Sequence, residues 1–245
     1  DRHFGIGSDG LILIDKPDDK NSDFKMRIFN SDGSEAEMCG NGIRCVAKFI
    51  HDNNLSKNNK MSIETLAGIK KVKLLENDNG ECNEVIVDMG EPLFQDKNIP
   101  YNIYEPYNKD LDIVVAGKTM RFTVVSMGNP HAVTFVENLD DLQIEKYGPI
   151  IENNPIFPNK TNVEFVEILD KNNIRIRVWE RGVGETFACG TGACASVVAA
   201  GINGYTDENV TTILPGGSLK IEWGKDNHIY MQGPPTSVYT GVISL

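Results

Sequence analysis

Short runs in which apolar and polar residues alternate recur along this chain, and two other stretches have a helical composition or spacing. Alternation is typical of half-buried strands, and residues 25–29 and 175–179 show it clearly. Apolar residues at 43, 46, 47 and 50 predict a helix over 42–52, and the small-residue run 193–200 predicts another. Strands and helices do not alternate as they do in βαβ units. The pattern therefore predicts an α+β fold, with a mostly antiparallel sheet around each helix.

The remaining patterns predict mostly strands and tight turns. Two hairpins are expected around Ala67-Gly68 and Gly216-Gly217. Asp140-Asp141 is expected to cap a helix over 142–151, and the proline-containing residues 98–110 are expected to form a surface loop. Further strands are predicted at 11–15, 84–90, 119–126, 132–137, 162–169 and 228–232.

One segment of the chain occurs twice, at an offset of 150 residues. Residues 30–46 read N-S-D-G-S-E-A-E-M-C-G-N-G-I-R-C-V, and residues 180–196 read E-R-G-V-G-E-T-F-A-C-G-T-G-A-C-A-S. The offset places Cys39 on Cys189, and the repeat extends to the strand before each copy and the helix and hairpin after it. We therefore expect two similar halves, residues 1–84 with 235–245 and residues 85–234. The counterpart of 124–136 would precede residue 1, so we expect a parent chain with a few tens more N-terminal residues.

Cys39 and Cys189 each precede a glycine-containing helix start, where free N–H groups and the helix dipole attract anions. A thiol in such a place is biased towards thiolate. Two of them suit inversion at carbon, since one thiolate removes a proton from one face and the opposite thiol returns one to the other. Burial in a core and Cys–His acyl transfer through His131 are the open alternatives. The cysteine spacings lack Cys-x2-Cys pairs and disfavour a zinc site.

Composition limits the partners and the compartment. The net charge of −11 argues against nucleic acid or anionic membranes, and no apolar run approaches the length of a membrane span. Five cysteines in 245 residues indicate a reducing, cytoplasmic compartment. We expect Cys45, Cys82 and Cys194 to be buried structural thiols. The G-x-G-x-x-G text at 5–10 precedes a strand instead of following one, which predicts a glycine turn and not a nucleotide site.

Four motifs in order resemble the diaminopimelate epimerase family. They are M-C-G-N-G at 38–42, M-G-N-P-H at 127–131, W-E-R-G at 179–182 and A-C-G-T-G at 188–192. The resemblance implies two pseudo-symmetric domains, each a barrel-like sheet around a central helix. It implies an isomerase that interconverts LL- and meso-diaminopimelate, on the route to lysine and peptidoglycan, without pyridoxal phosphate, metal or other cofactor. A small-molecule amino acid substrate and a homodimer are expected.

The resemblance also assigns roles to residues. Cys189 resembles the thiolate that deprotonates the LL-substrate, and Cys39 resembles the thiol that reprotonates it. His131 and Glu180 resemble the pair that tunes the thiols. Backbone donors to the reacting carboxylate would come from Gly40, Asn41, Gly190 and Thr191. Substrate contacts, chiefly to the distal amino acid head, would come from Asn30, Asn129, Asn162, Glu180 and Arg181.

The sequence departs from the family pattern at two places, and several alternative functions remain open. The family's N-terminal Asn loop is absent here, and Gly10 stands where some members place a substrate-contacting Gln. A proline racemase or hydroxyproline epimerase resembles Met-Cys-Gly-His where this chain has Met-Cys-Gly-Asn, and a histidine racemase is a further alternative. A binding protein that keeps the fold without turnover is the alternative from a different class.

Overall fold

The computed structural model describes residues 7–8, 10–30, 32–100 and 106–242. It contains the helices α1 (Gly40–Asp52), α2 (Ile144–Glu152) and α3 (Gly190–Ile202). The first strands are β1 (Gly10–Asp15), β2 (Phe24–Asn30), β3 (Glu35–Ala36), β4 (Lys60–Thr65), β5 (Gly68–Glu76) and β6 (Cys82–Asp88). The later strands are β7 (Asn108–Val115), β8 (Lys118–Ser126), β9 (Pro130–Phe135), β10 (Asn162–Asp170), β11 (Asn173–Glu180), β12 (Gly184–Thr186), β13 (Asn209–Leu214), β14 (Gly217–Trp223) and β15 (Ile229–Gly233).

The chain forms two compact units. The first consists of Asp1–Asp88 and Gln232–Leu245, and the second of Met89–Met231. Within the described residues, no helix has both the length and the apolar character that crossing a bilayer requires. Many strands and few helices make this a mixed α+β fold, as the sequence pattern predicted.

In the first unit, the strands lie in the order β1-β2-β4-β5-β6, and β3 pairs with β2. The pairings are antiparallel except between β2 and β4. Helix α1 contacts β1, β5 and β6, so it lies across this sheet. Its predicted apolar face is confirmed, because Ile43, Val46, Ala47 and Ile50 are all buried.

In the second unit, the strands lie in the order β15-β14-β13-β11-β10-β9-β8-β7, and β12 pairs with β11. The pairs β9/β10 and β11/β13 are parallel, and most of the others are antiparallel. Helix α3 contacts six strands, namely β8, β9, β10, β11, β13 and β14. It is buried on every side from Gly192 to Ala200, which explains why that stretch consists of small residues.

The other helix of the second unit, α2, packs on a separate core. Ile144 and Ile151 from α2 lie against Phe122 of β8 and Phe165 of β10, and all four side chains are fully buried. Burial of an aliphatic or aromatic side chain of this size contributes about 1.5–3 kcal/mol each. This core packs on one face of β10 and β11. The side chains that concern the site lie on the other face of these strands.

Several sequence-based expectations need correction. Asp140-Asp141 does not cap α2, which begins at Ile144 after Gln143 and has no side-chain cap. Asp140 is instead paired with Arg175 at 2.6 Å. Strand β7 begins inside the predicted loop 98–110, whose residues 101–105 lie outside the described part. Both predicted hairpins are confirmed, as β4–β5 and β13–β14.

Candidate active site

The two repeated cysteines occupy the same position at the start of two helices. Cys39 is the N-cap of α1, with φ −137° and ψ 115°, and its sulfur accepts a hydrogen bond from Gly42 N at 3.3 Å. Cys189 is the N-cap of α3, with φ −123° and ψ 112°, and accepts from Gly192 N at 3.4 Å. Each sulfur therefore lies at the positive end of a helix dipole. The predicted helix starts are confirmed.

The strands before the cysteines repeat the same pairing. Phe29 of β2 pairs with Glu35 of β3, and Trp179 of β11 pairs with Glu185 of β12. These short return strands direct the chain back from the strand end towards the cysteine that follows. An ion pair supports each return, with Arg27 Nε 2.8 Å from Glu35 and Arg177 Nε 2.7 Å from Glu185. Arg27 holds the pKa of Glu35 below its usual range.

Close packing surrounds the second glycine of each motif, Gly42 in the first copy and Gly192 in the second. A Cβ on Gly42 would lie 2.8 Å from Ile12 Cδ1, and a Cβ on Gly192 would lie 2.8 Å from Glu164 Oε1. A third glycine, Gly10, is restricted in the same way, since its Cβ would lie 2.7 Å from Phe29 O. The close approach of β1 and β2 therefore leaves little room for a side chain at position 10.

The buried thiol of Cys189 does not have the thiolate bias that the helix start predicted. Burial raises its pKa well above the ordinary range, and the carboxylates of Glu180 and Glu164 raise it further. Hydrogen bonds from Thr191 and Gly192 N act in the opposite direction but are weaker. The prediction of a low pKa is wrong for Cys189, because desolvation and two like charges outweigh the helix end. The direction of the shift favours the protonated thiol.

His131 and a carboxylate that the sequence analysis missed form a buried pair beside this thiol. Both His131 and Glu164 have no solvent exposure, and His131 Nδ1 lies 2.7 Å from Glu164 Oε1. Parallel pairing of β9 with β10 sets Asn162 opposite His131, which brings the two strands' polar side chains together. On the other side of the ring, Nε2 lies 2.9 Å from Asn129 Oδ1.

The sequence carried a signal for Glu164. It stands between Val163 and Phe165 in a strand whose first five residues are all buried. A carboxyl group in such a strand is rarely buried without a partner, so its partner marks a site.

Asn162 and Arg181 lie together at the end of β11. The side chain of Asn162 is buried, its Oδ1 accepts from Arg181 N at 2.9 Å, and its Nδ2 donates to Pro130 O at 2.9 Å. Arg181 is exposed, and one of its guanidinium nitrogens donates to Asn159 O at 3.2 Å. Buried Glu152 accepts from Gly182 N at 2.9 Å. Asn162 and Glu152 thus fix the turn that carries Arg181.

Glu180, the last residue of β11, accepts a hydrogen bond from Thr186 Oγ1 of the paired strand β12. Its carboxylate is half-buried and acts on Cys189 electrostatically. Glu180 therefore raises the pKa of the Cys189 thiol, and its role as a residue that tunes the thiols stays a prediction.

Of the expected site residues of the first unit, Cys39, Gly40 and Asn41 lie at the start of α1, and Asn30 is the last residue of β2. Exposed Asn30 donates to Ser34 Oγ at 3.0 Å. Asn41 Oδ1 accepts from buried Arg44 at 3.0 Å, and Arg44 also donates to Gly40 O at 3.1 Å. No such arginine follows the second motif, where Cys194 stands at the equivalent position.

The three remaining cysteines divide differently from the prediction. Cys82 and Cys194 are buried as expected, but Cys45 is exposed. Cys45 lies on the face of α1 opposite its buried apolar residues, so the prediction of a buried thiol is wrong there. All five cysteines are free thiols. Among the described residues, no group of three or more His, Cys, Asp or Glu side chains is arranged to hold a metal ion.

Comparison with known proteins agrees with this arrangement. The family profile described as diaminopimelate epimerase matches residues 1–95 and 123–238. A diaminopimelate epimerase of Acetivibrio thermocellus is 52% identical over 100% of this chain and 87% of its own length. One of Methanococcus maripaludis is 54% identical over 100% of this chain and 88% of its own. A probable proline racemase from Agrobacterium radiobacter has a similar fold, with a TM-score of 0.72 at 14% identity, over 96% of this chain and 76% of that one.

The fold and the sequence together define an isomerase of the epimerase class. Both relatives align over the whole chain at more than half identity, and the profile covers both cysteine motifs. The chain belongs to the diaminopimelate epimerase family.

Proposed function

We propose that this chain interconverts LL- and meso-2,6-diaminopimelate by moving a proton at one α-carbon, with Cys39 and Cys189 as the two acid–base groups. The observation that carries the proposal is the pair of N-capping thiols, which share an extended backbone conformation and accept a hydrogen bond from the amide three residues later. Membership of the diaminopimelate epimerase family supports the substrate. The reaction would serve lysine and peptidoglycan precursor synthesis.

The proton balance needs no cofactor. One cysteine, as thiolate, takes the α-proton and becomes a thiol, and the electron pair of the broken C–H bond passes into the α-carboxylate group. The other cysteine, as thiol, delivers its proton to the carbon and becomes the thiolate. Backbone N–H groups of Gly40, Asn41, Gly190 and Thr191 would stabilise the charge that develops on the carboxylate oxygens, since they lie at the two helix starts.

The high pKa of Cys189 in the free protein bears on how catalysis begins. A protonated Cys189 is ready to act as the acid, and to act as the base it has to lose its proton. The α-ammonium group of a bound substrate would offset the negative field of Glu180 and Glu164 and favour the thiolate. His131 and Glu180 then act as the groups that set the protonation of the thiols.

The distal amino acid head of diaminopimelate is a zwitterion, so its binding site needs one positively and one negatively charged side chain. Arg181 offers a planar guanidinium with several donors beyond the one used on Asn159, and Glu180 offers a carboxylate for an ammonium group. We assign Asn30, Asn129 and Asn162 to the polar contacts around the substrate. Asn162 would contribute mainly by holding Arg181, because both ends of its amide already have protein partners.

Deuterium incorporation at the substrate α-carbon in heavy water tests the proposal. The protein should exchange that hydrogen in diaminopimelate, and not in proline or histidine, and Cys39→Ala and Cys189→Ala should each abolish epimerisation. Cys45→Ala, on the exposed face of α1, is the matched control and should retain activity. Exchange in proline or histidine alone would indicate a related racemase. Absence of exchange in all three amino acids would indicate a binding protein.

A homodimer in the cytoplasm completes the proposal. The support for the compartment is that all five cysteines are free thiols, which suits a reducing environment. Light scattering coupled to size exclusion should return about twice the mass of 27.1 kDa. A monomer mass at micromolar concentration would contradict the dimer without affecting the reaction.

A further inference from the structure

A continuous hydrogen-bond chain connects a carboxyl group outside the proposed catalytic set to the sulfur of Cys189. Glu164 Oε1 lies 2.7 Å from His131 Nδ1, and His131 Nε2 lies 2.9 Å from Asn129 Oδ1. Asn129 Nδ2 lies 3.3 Å from Thr191 Oγ1, which in turn lies 3.5 Å from Cys189 Sγ. All five residues belong to the second unit.

The donors in this chain have a fixed direction. Asn129 Oδ1 only accepts, so the hydrogen bond between it and His131 requires a hydrogen on Nε2. Asn129 Nδ2 only donates, so Thr191 Oγ1 accepts from it. When Cys189 is a thiolate, its sulfur can only accept, and the hydroxyl hydrogen of Thr191 is available to it. In that state every hydrogen of the chain from His131 onwards points towards the sulfur.

The state of Glu164 decides whether this direction holds. With a hydrogen on Nε2, His131 is either neutral and accepts at Nδ1 from a protonated carboxyl, or cationic and donates at Nδ1 to a carboxylate. In both states the pair shares one proton. Loss of that proton would leave the hydrogen on Nδ1 and set the Nε2 lone pair against Asn129 Oδ1. The amide would then turn over, and Thr191 would donate to it instead of to Cys189.

Burial favours the proton-holding state. Glu164 has no solvent exposure, and desolvation raises its pKa, against the attraction of His131. Its Oε2 is buried and receives no hydrogen bond from the described residues, which disfavours a bare carboxylate. Gly192, whose Cβ would lie 2.8 Å from Oε1, leaves the space that the carboxyl group needs. The charges that act on Glu164 come from His131 and Glu180.

We propose that Glu164 is a positioning residue, which shares one proton with His131 and so directs the chain His131, Asn129, Thr191 to donate a hydrogen bond to the Cys189 thiolate. Glu164 touches no reacting atom and acts through the other three side chains. The inference rests on the proposed function only in giving Cys189 the role of a base. The same geometry could come from a pair that merely fills the core, so the test has to measure the coupling itself.

A double-mutant cycle measures that coupling in the full chain. Thr191→Val removes the hydroxyl and keeps the shape of the side chain. Glu164→Gln can still donate from its amide to His131 Nδ1, whereas Glu164→Met has no donor and frees the ring to adopt either tautomer. The readout is the rate at which iodoacetamide alkylates Cys189 at pH 8, followed by peptide mass spectrometry and normalised to the exposed Cys45.

A hydrogen bond to an ionised group is of the stronger kind, so Thr191→Val should slow alkylation about tenfold in the wild-type background. Thr191→Val should slow alkylation by the same factor in the Glu164→Gln background. In the Glu164→Met background it should hardly slow alkylation, because the hydroxyl no longer faces the sulfur. Equal factors in all three backgrounds would overturn the proposal, because Glu164 and Thr191 would then act independently. Any change of charge at residue 164 alters the baseline alkylation rate of that background, and it cancels when the two rates within the background are divided.

A spectroscopic test needs no variant at position 164. Selective 15N labelling of histidine in the wild-type protein, with the signal of His131 assigned by His131→Asn, should show a protonated Nε2 at neutral pH. An unprotonated Nε2 would overturn the proposal even if Glu164→Met failed to fold. Neither test uses substrate. Absence of α-hydrogen exchange in diaminopimelate would therefore refute the proposed function and leave this inference standing.

Discussion

The glycines three residues after the two thiols allow a matched comparison of how each helix start tolerates a methyl group. At both positions a new Cβ would meet an atom at 2.8 Å. Beside Gly42 that atom is the terminal methyl of Ile12, a partly exposed side chain that is able to rotate away. Beside Gly192 it is a carboxylate oxygen of Glu164, which is fully buried and held by His131. Equal distances should therefore have unequal consequences.

The magnitudes follow from the neighbours. Alanine in place of glycine gains up to about 1 kcal/mol in a helix. At position 42 a small rotation of Ile12 offsets part of this gain, so Gly42→Ala should be neutral within about 0.5 kcal/mol. At position 192 overpacking costs about 1–3 kcal/mol. Weakening the Glu164–His131 bond costs about 1 kcal/mol more, so Gly192→Ala should lose about 1–3 kcal/mol net.

Urea unfolding distinguishes the two variants. Both tryptophans of the chain, Trp179 and Trp223, lie in the second unit, so fluorescence reports on the unit that contains residue 192. Gly192→Ala should lower the fluorescence midpoint, and Gly42→Ala should leave it unchanged. Circular dichroism reports the helices of both units and serves as the control. Equal losses in the two variants would refute the reasoning, because the difference is attributed entirely to the mobility of the neighbouring side chain.

Two further predictions concern an ion pair and a pH dependence. Arg177 also donates to Leu139 O and Leu142 O, whereas the more exposed Arg27 pairs with Glu35 and lies over the Phe29 ring. Urea unfolding should therefore show a loss of about 2–3 kcal/mol for Arg177→Met. Arg27→Met should cost clearly less than Arg177→Met, and equal losses would contradict this account. The pKa of Cys189 is raised on folding, so the folded state holds this proton more tightly than the unfolded state does. The resulting contribution to stability is complete below the unfolded pKa of about 8.5 and is lost as pH rises towards the folded pKa. Unfolding at pH 8 and 10 should therefore show a smaller decline for Cys189→Ala than for wild type, by up to about 1.4 kcal/mol per pH unit, and identical declines would refute the shift.

The repeat made the local structure around each cysteine predictable. It correctly placed the strand, the helix and the hairpin in both copies, because a 150-residue offset preserves the local pattern that specifies them. The short strands β3 and β12 escaped prediction, since two or three residues are too few to show alternation.

The electrostatics of the second thiol could not be read from the sequence. The helix start around Cys189 is local, and its effect was foreseen. The largest opposing effect is burial by strands that the pattern did not place, and the charges of Glu180 and of Glu164, which is 25 residues earlier in the chain, add to it. Asp140 shows the same limit. Its local position suited a helix cap, but Arg175 of β11 engages it instead, and only the paired strands bring those residues together.

The enclosure of α3 by six strands determines how firmly Cys189 is held. The helix is packed on all sides from Gly192 to Ala200, so it cannot move outward by itself. Its backbone amides are therefore protected from hydrogen exchange unless the surrounding sheet opens. Slow exchange of those amides would mark the helix as the part of its unit that fluctuates least. The sulfur at the first turn of α3 would then keep its position during thermal motion. A proton transfer over a fraction of an ångström requires such a fixed position.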